Sequence, residues 1–307
     1  MRHRARVKRM VGIPGGGTTN LGLAAAVYNG KLFLFGVSAF AGGVGSEFVN
    51  VFDGAQWSGW SAVPGGGITN LGLTAAVFNG KLYLFGISAF QGGGTGSEFV
   101  NVFDGVHWSG WSPVLGGGTT NVALSATVFN GKLYLFGVSA FPAGGAGGEF
   151  VNVFDGAQWS GWSALPGAGT TNTGLAATVF NGKLYLFGVG AFPGGGAGGE
   201  FVNVFDGAHW SGWSPVAGGG TTNTGLAAAV HKNKLCLFGV GAFHGAGSAG
   251  EFLNSFDGAK SSGWSAVPDA GSTNVSLSSA ESGGRLYVFG VSAFQGGAGG
   301  EFVNTMD

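Results

Sequence analysis

Cysteine is nearly absent from this 307-residue chain, charge is sparse, and no long apolar run occurs. The single cysteine, Cys236, cannot close an internal disulfide and reads as buried packing. Charged residues make up 9% and the net charge is −1, which leaves no electrostatic footprint for nucleic acid. The one basic concentration is Arg2, Arg4, Arg6, Lys8 and Arg9, of which residues 1–6 read as a solvated tail. No apolar segment follows that arm, so it does not read as a signal peptide. No run of about 18 apolar residues is present, so no membrane-spanning helix is expected. The compartment stays undetermined, and release to act outside the cell is compatible with these absences. Calcium loops, Cys/His metal clusters and a phosphate loop with its Lys-Ser/Thr are all missing. No metal or other cofactor is therefore expected.

What is abundant is glycine, at 67 residues, beside 45% hydrophobic residues. Such a composition can signal low complexity, but here the apolar runs return at fixed phase. Trp-Ser-Gly-Trp-Ser occurs at Trp57/Trp60, Trp108/Trp111, Trp159/Trp162 and Trp210/Trp213, with successive frames 51 residues apart (57 to 108, for example). A fifth copy survives in part as Ser261-Ser262-Gly263-Trp264. A repeat of this length overrides the usual size prior for domain number, because repeat units share one core.

One unit, Gly65 to Leu115, holds four short apolar runs: Leu73–Phe78, Lys81–Ile87, Glu98–Phe103 and His107–Val114. Asn79-Gly80 joins the first two and Asp104-Gly105 the last two, both strong hairpin signals for type I′ turns. No run suits a typical helix, so each unit predicts a four-stranded antiparallel meander. Six first hairpins can be counted, ending at Lys232-Asn233 and Gly283-Gly284. The last copy stops at Asp307 without its fourth run, and Val7–Pro14 aligns with that missing run. The expectation is an all-β fold, a six-bladed β-propeller of about 51 residues per repeat over residues 1–307. The N-terminal strand would pair with the last blade and protect its edge. The small residues of the first run, as in Ala24-Ala25-Ala26, place it innermost. The tight turns then lie on one face of the disc and the long loops on the other, and loops more often carry function.

The candidate binding residues are the tryptophans Trp57, Trp60, Trp108, Trp111, Trp159, Trp162, Trp210, Trp213 and Trp264, with the polar residues before them, Gln56, His107, Gln158 and His209. On a regular strand, side chains three apart point to opposite faces. Each cleft between blades would thus receive a Trp from both walls, unless Gly59 hosts a bulge. Rim packing is the competing explanation for these rings. An apolar platform with a few polar groups suits a sugar ring. Glu47, Glu98, Glu149, Glu200, Glu251 and Glu301 open the third run of each copy, and either pair with the cation of the second run (Lys31 to Arg285) or meet a ligand hydroxyl. Asp53 and its equivalents read as turn residues. Thr-Asn pairs such as Thr120-Asn121 stabilise turns or face ligand. His107 and His209 share a repeat position with Gln, which argues against a catalytic base there. No enzymatic activity is expected.

Asn-Gly-Lys-Leu-Tyr-Leu-Phe-Gly, followed by Phe-Asp-Gly-x-x-Trp-Ser-Gly-Trp-Ser and Pro-Gly-Gly-Gly-Thr-Thr, resembles the Photorhabdus-type bacterial β-propeller lectins over about residues 12–307. The resemblance implies multivalent binding of fucose and O-methylated sugars at sites repeated around the ring, with the tryptophans as site residues. Two departures are plain. That family is seven-bladed where six units are counted here, and Val7 and Met10 stand where the closing blade's tryptophan pair belongs. A weaker resemblance is to kelch propellers, which implies a protein-interaction scaffold. Glycans are the expected partners; homo-oligomerisation is left open.

Overall fold

The computed structural model describes residues 7–14, 19, 22–38, 46–65, 69, 72–88, 96–116, 120, 122–139, 148–166, 171, 173–190, 198–218, 222, 225–241, 250–267, 273, 277–292 and 300–307. Strand β1 is Val7–Gly12. Blade 1 is β2 (Leu23–Tyr28), β3 (Lys31–Ser38), β4 (Ser46–Phe52) and β5 (Ser61–Ala62). Blade 2 is β6 (Leu73–Phe78), β7 (Lys81–Ser88), β8 (Ser97–Phe103) and β9 (Ser112–Pro113). Blade 3 is β10 (Leu124–Phe129), β11 (Lys132–Ser139), β12 (Gly148–Phe154) and β13 (Ser163–Ala164). Blade 4 is β14 (Leu175–Phe180), β15 (Lys183–Gly190), β16 (Gly199–Phe205) and β17 (Ser214–Pro215). Blade 5 is β18 (Leu226–His231), β19 (Lys234–Gly241), β20 (Gly250–Phe256) and β21 (Ser265–Ala266). Blade 6 combines β22 (Ser278–Ser282), β23 (Arg285–Ser292) and β24 (Gly300–Met306) with β1 on its outer edge.

Each blade is an antiparallel meander, and the innermost strands touch in a closed cycle, β2–β6–β10–β14–β18–β22–β2. Three residues at the start of each, Leu277 just before β22 among them, line an axial cavity of about 130 Å³ that includes Ala24, Thr74 and Ser125. Small side chains there let six strands converge on one axis. The second strands carry the core: Leu32, Leu34, Phe35 and their repeats are almost fully buried. They face neighbouring blades on both sides, which explains why the four residues after the opening cation are apolar on both parities. The inner hairpin turns have positive φ at both residues, 48° at Asn29 and 72° at Gly30 for example, as type I′ requires.

The ring closes as the sequence predicts. Val7 pairs with Met306 and Lys8 with Thr305, then Val11 with Val303 and Gly12 with Phe302. Asn50 of blade 1 donates Nδ2–H to the carbonyl of Pro14 at 3.1 Å, tying the first blade to the closing strand. The expected tail, residues 1–6, lies outside the described residues.

Two local expectations are corrected. The Asp-Gly connection between third and fourth strands is not a two-residue I′ turn. It is a four-residue loop in which Asp53 Oδ1 accepts from the N–H groups of Ala55 and Gln56, both at 2.8 Å. The short Asp side chain mimics a backbone turn and so widens the loop. The fourth run is also broken. Trp57 makes a lone bridge to Phe52, and regular pairing resumes only at Ser61 opposite Val49. Three residue steps on one strand (52 to 49) face four on the other (57 to 61), so one extra residue is inserted. Gly59 accommodates it at φ +81°, and Gly110, Gly161, Gly212 and Gly263 repeat the conformation.

Candidate binding seams

The bulge decides where the indoles go. An inserted residue resets side-chain parity, so Trp57 and Trp60 emerge on the same face of blade 1, against blade 6. Trp108 and Trp111 likewise enter the seam between blades 1 and 2, and Trp159 and Trp162 the seam between blades 2 and 3. Trp210 and Trp213 enter the next seam, and Trp264 the one after. The expectation of a tryptophan from each wall is therefore corrected: both come from the following blade.

The two members of a pair have different surroundings. Trp108 stacks on its own Phe103 at 5.1 Å and 28°, and meets Phe35 of the preceding blade edge-on at 6.0 Å and 87°. Trp57, Trp159 and Trp210 repeat this arrangement with Phe52, Phe154 and Phe205 on one side and Phe289, Phe85 and Phe136 on the other. The second tryptophans lie over glycines of their own blade. A Cβ on Gly137 would come within 3.3 Å of Trp162 Cη2, and Gly36, Gly188 and Gly239 stand likewise beneath Trp60, Trp213 and Trp264. Trp60, Trp111, Trp162, Trp213 and Trp264 bury Nε1 without a hydrogen-bond partner among the described residues. None of the nine indoles is fully buried; all are half-buried at the rim. Gln56, His107, Gln158 and His209 are exposed beside them.

A cavity of about 480 Å³ opens between blades 1 and 2. Blade 1 lends it Gln56, Trp57, Ser58, Lys31 and Asp53, and blade 2 lends Phe103 and Gly105. The wall is thus an aromatic and apolar floor rimmed by an amide, a hydroxyl, a cation and a carboxylate. It lies at the tight turns, Asn29 included, and not among the long loops that the sequence favours for function. Lys31 and Asp53 were not among the predicted site residues. Their signal was the fixed spacing of a cation and an Asp on either side of the same hairpin pair. Two backbone N–H groups hold the Asp53 carboxyl below its usual range, with Lys31 adding to the effect, so it is anionic at neutral pH.

The glutamates at the other end of the seam are structural. Glu98 pairs with neither cation nor open surface. Its Oε1 accepts from Thr120 Oγ1 at 2.5 Å, across the seam between blades 2 and 3. Thr171–Glu149, Thr222–Glu200 and Thr273–Glu251 repeat the bond at 2.6 Å. The cation lies at the far end of the strand, where Arg285 pairs instead with Asp307 at 3.0 Å. The Asn that follows each Thr lies outside the described residues. Asn101 supports the seam as well, donating to the Pro64 carbonyl at 2.8 Å.

Burial raises the Glu98 carboxyl above its ordinary pKa, against the opposing bond from Thr120. A carboxyl raised in the folded state favours folding most below its unfolded pKa, and that contribution is lost as pH rises through the folded value. Glu98→Gln keeps an acceptor for Thr120 and removes the charge. The variant is expected to unfold at higher urea than the parent at pH 8, with the gap closing below about pH 4.5. A constant gap across that range would exclude titration of Glu98 as its source.

Six four-stranded blades around one axis, with no helix among the described residues, make the chain a six-bladed β-propeller. No family model and no curated protein matches it. Solved structures do. The fucose-recognising fungal lectin from Aleuria aurantia, itself a six-bladed β-propeller, matches at TM-score 0.62 and 13% identity, over 92% of this chain and 94% of that one. The GH93 α-L-arabinofuranosidase of Fusarium graminearum, solved with arabinobiose, matches at TM-score 0.67 and 12% identity over 97% of both chains. A Trypanosoma rangeli sialidase, solved with sialic acid, matches at 0.64 and 12% identity, over 92% of this chain but 53% of its own. At these identities the likeness is one of fold. The expectation that the chain is not an enzyme is corrected by it, because glycoside-cleaving enzymes share the architecture. The Photorhabdus-type resemblance gains no family match.

Proposed function

We propose that the chain is a multivalent carbohydrate-binding propeller that takes fucosylated or O-methylated glycans in tryptophan-lined seams between blades. The observation that carries the reading is the open cavity between blades 1 and 2, where Gln56 and Trp57, a ring that also packs against blade 6, meet Lys31 and Asp53, while Trp108 and Trp111 of that seam do not line it. An aromatic floor suits the apolar face of a sugar, and the rim supplies donors and acceptors for its hydroxyls. The same residue types recur around the ring at Lys81, Asp104, His107 and Trp108, at Lys132, Asp155, Gln158 and Trp159, and at Lys183, Asp206, His209 and Trp210. Weak sites repeated on one rigid disc gain avidity on a glycan-coated surface through effective concentration.

The test is titration with methyl α-fucoside and with a 3-O-methyl sugar by calorimetry. Replacing Gln56, His107, Gln158 and His209 together by Ala leaves the core untouched, since all four are exposed. Binding is expected to weaken at least about tenfold, some 1.4 kcal/mol per site. Unchanged affinity would remove these residues from the site. Following the same mixtures for released sugar distinguishes binding from turnover.

A further inference from the structure

The seam between blades 4 and 5 is built differently from the four that precede it around the ring. In the four seams before it, counting round from the one between blades 6 and 1, the first tryptophan of the following blade fills a slot between two phenylalanines. Blade 5 has Ser261 at that position, bridged to Phe256 as Trp210 is bridged to Phe205. The slot is not closed by collapse of the walls. A cavity of about 260 Å³ remains, walled by Phe187, Val202, Val216, Leu235, Leu237 and Phe256. The surrounding residues register the opening. Phe187 is 4% exposed where Phe35, Phe85, Phe136, Phe238 and Phe289 are at 0%. Val216 is half-buried, whereas its equivalents Val63, Val114, Leu165 and Val267 are all buried.

We propose that this slot is a binding site for a small, neutral, planar aromatic molecule of indole size. The shape argument comes from the repeat itself. At equivalent places the fold holds an indole stacked on one ring (Phe205 with Trp210, 5.0 Å and 25°) and edge-on to another (Phe136 with Trp210, 6.0 Å and 88°). Here Phe256 offers the stacking face and Phe187 the perpendicular one, with the middle partner missing. Apart from Tyr185, the polar side chains at the margin are already engaged with one another. Ser261 Oγ donates to Asn254 Oδ1 at 2.6 Å, and Asn254 Nδ2 donates to the Ala217 carbonyl at 2.8 Å. They ask nothing of a guest, which selects against charged or strongly hydrogen-bonding molecules. Apolar cavities of roughly 150 Å³ stay dry and take up benzene, and stacked and edge-on rings add to burial.

The probe is 5-fluoroindole, followed by fluorine NMR on the intact chain. Saturable uptake of one equivalent is expected. Ser261→Trp fills the slot covalently and should abolish uptake while raising the melting temperature by several degrees. Trp210→Ser opens the equivalent slot between blades 3 and 4 and should raise the stoichiometry to two. No saturable uptake by the parent chain overturns the proposal, as does uptake that survives Ser261→Trp, or a stoichiometry that stays at one in Trp210→Ser. If Ser261→Trp fails to fold, the Trp210→Ser arm decides. Sugar plays no part in these readouts, so their failure leaves the carbohydrate reading as it stands.

Discussion

Deleting residues 1–14 is expected to cost on the order of 5 kcal/mol and to end cooperative unfolding of the whole ring. The figure is the sum of a few ladder hydrogen bonds at about 1 kcal/mol each and the burial of Ile13 at about 2 kcal/mol. Ile13 is buried, and its N–H donates to the Glu301 carbonyl at 3.0 Å. The deletion strips β24 of its outer partner and leaves Asn50 Nδ2, fully buried, without the Pro14 carbonyl it bonds. A buried donor left unpaired adds about 1–3 kcal/mol of its own. The bare edge of β24 is also a template for pairing with a second chain, so higher-order species should appear on size-exclusion chromatography. Deletion of residues 1–6 alone is the control and should leave the urea midpoint in place. If both deletions unfold at the parent's midpoint, strand exchange at β1 is not what holds the first and last blades together.

The parts of this fold that were legible in the sequence are those set by local chemistry repeated six times. Asn-Gly demanded positive φ at two successive residues, and only a tight inner hairpin uses it. Small residues at Ala24–Ala26 placed that strand at the axis, and the alignment of Val7–Pro14 with the absent last run foretold its pairing with β24. What escaped depended on one residue's conformation or on distant partners. Gly59 could be read from sequence either as part of a regular strand or as the host of a bulge, and the sequence alone did not decide between them. At φ +81° it inserts a residue into the ladder and moves Trp60 onto the side of Trp57, so that a seam is lined from one wall and not two. Asp53 signalled a turn, but the two bonds it accepts make that turn longer than the dipeptide suggests. Glu98 could have paired with a cation of its own blade. The partner it found, Thr120, belongs to the next one, and no spacing rule within a repeat reports contacts between repeats. The rim cavity shares this difficulty, because Gln56 and Lys31 meet Phe103 only after two blades are set side by side.

The two tryptophans of one frame should respond differently to the same substitutions. Trp108→Ala removes a ring that stacks on Phe103 and meets Phe35 edge-on, and is expected to destabilise the protein by about 3–5 kcal/mol. Trp108→Phe keeps a ring between the same partners and should cost about 1–2 kcal/mol, within the range for loss of part of a packed aromatic. At Trp111 the balance shifts. Its Nε1 is buried with no partner among the described residues, a condition that itself costs about 1–3 kcal/mol. Trp111→Phe deletes that orphaned donor along with some contact area, so the two effects oppose and the change should fall within about 1 kcal/mol of neutral. Ser261 shows that the fold tolerates loss of one first-position indole, and the damage from Trp108→Ala should accordingly stay within the seam between blades 1 and 2. Hydrogen exchange can read this. Amides of β3 and β8 should lose protection in Trp108→Ala, while those of β15 and β19 keep it. Equal costs for Trp108→Phe and Trp111→Phe would mean that the first indole's stacking is worth no more than the second's, and the seam would then owe its cohesion to the Asn and Glu bonds.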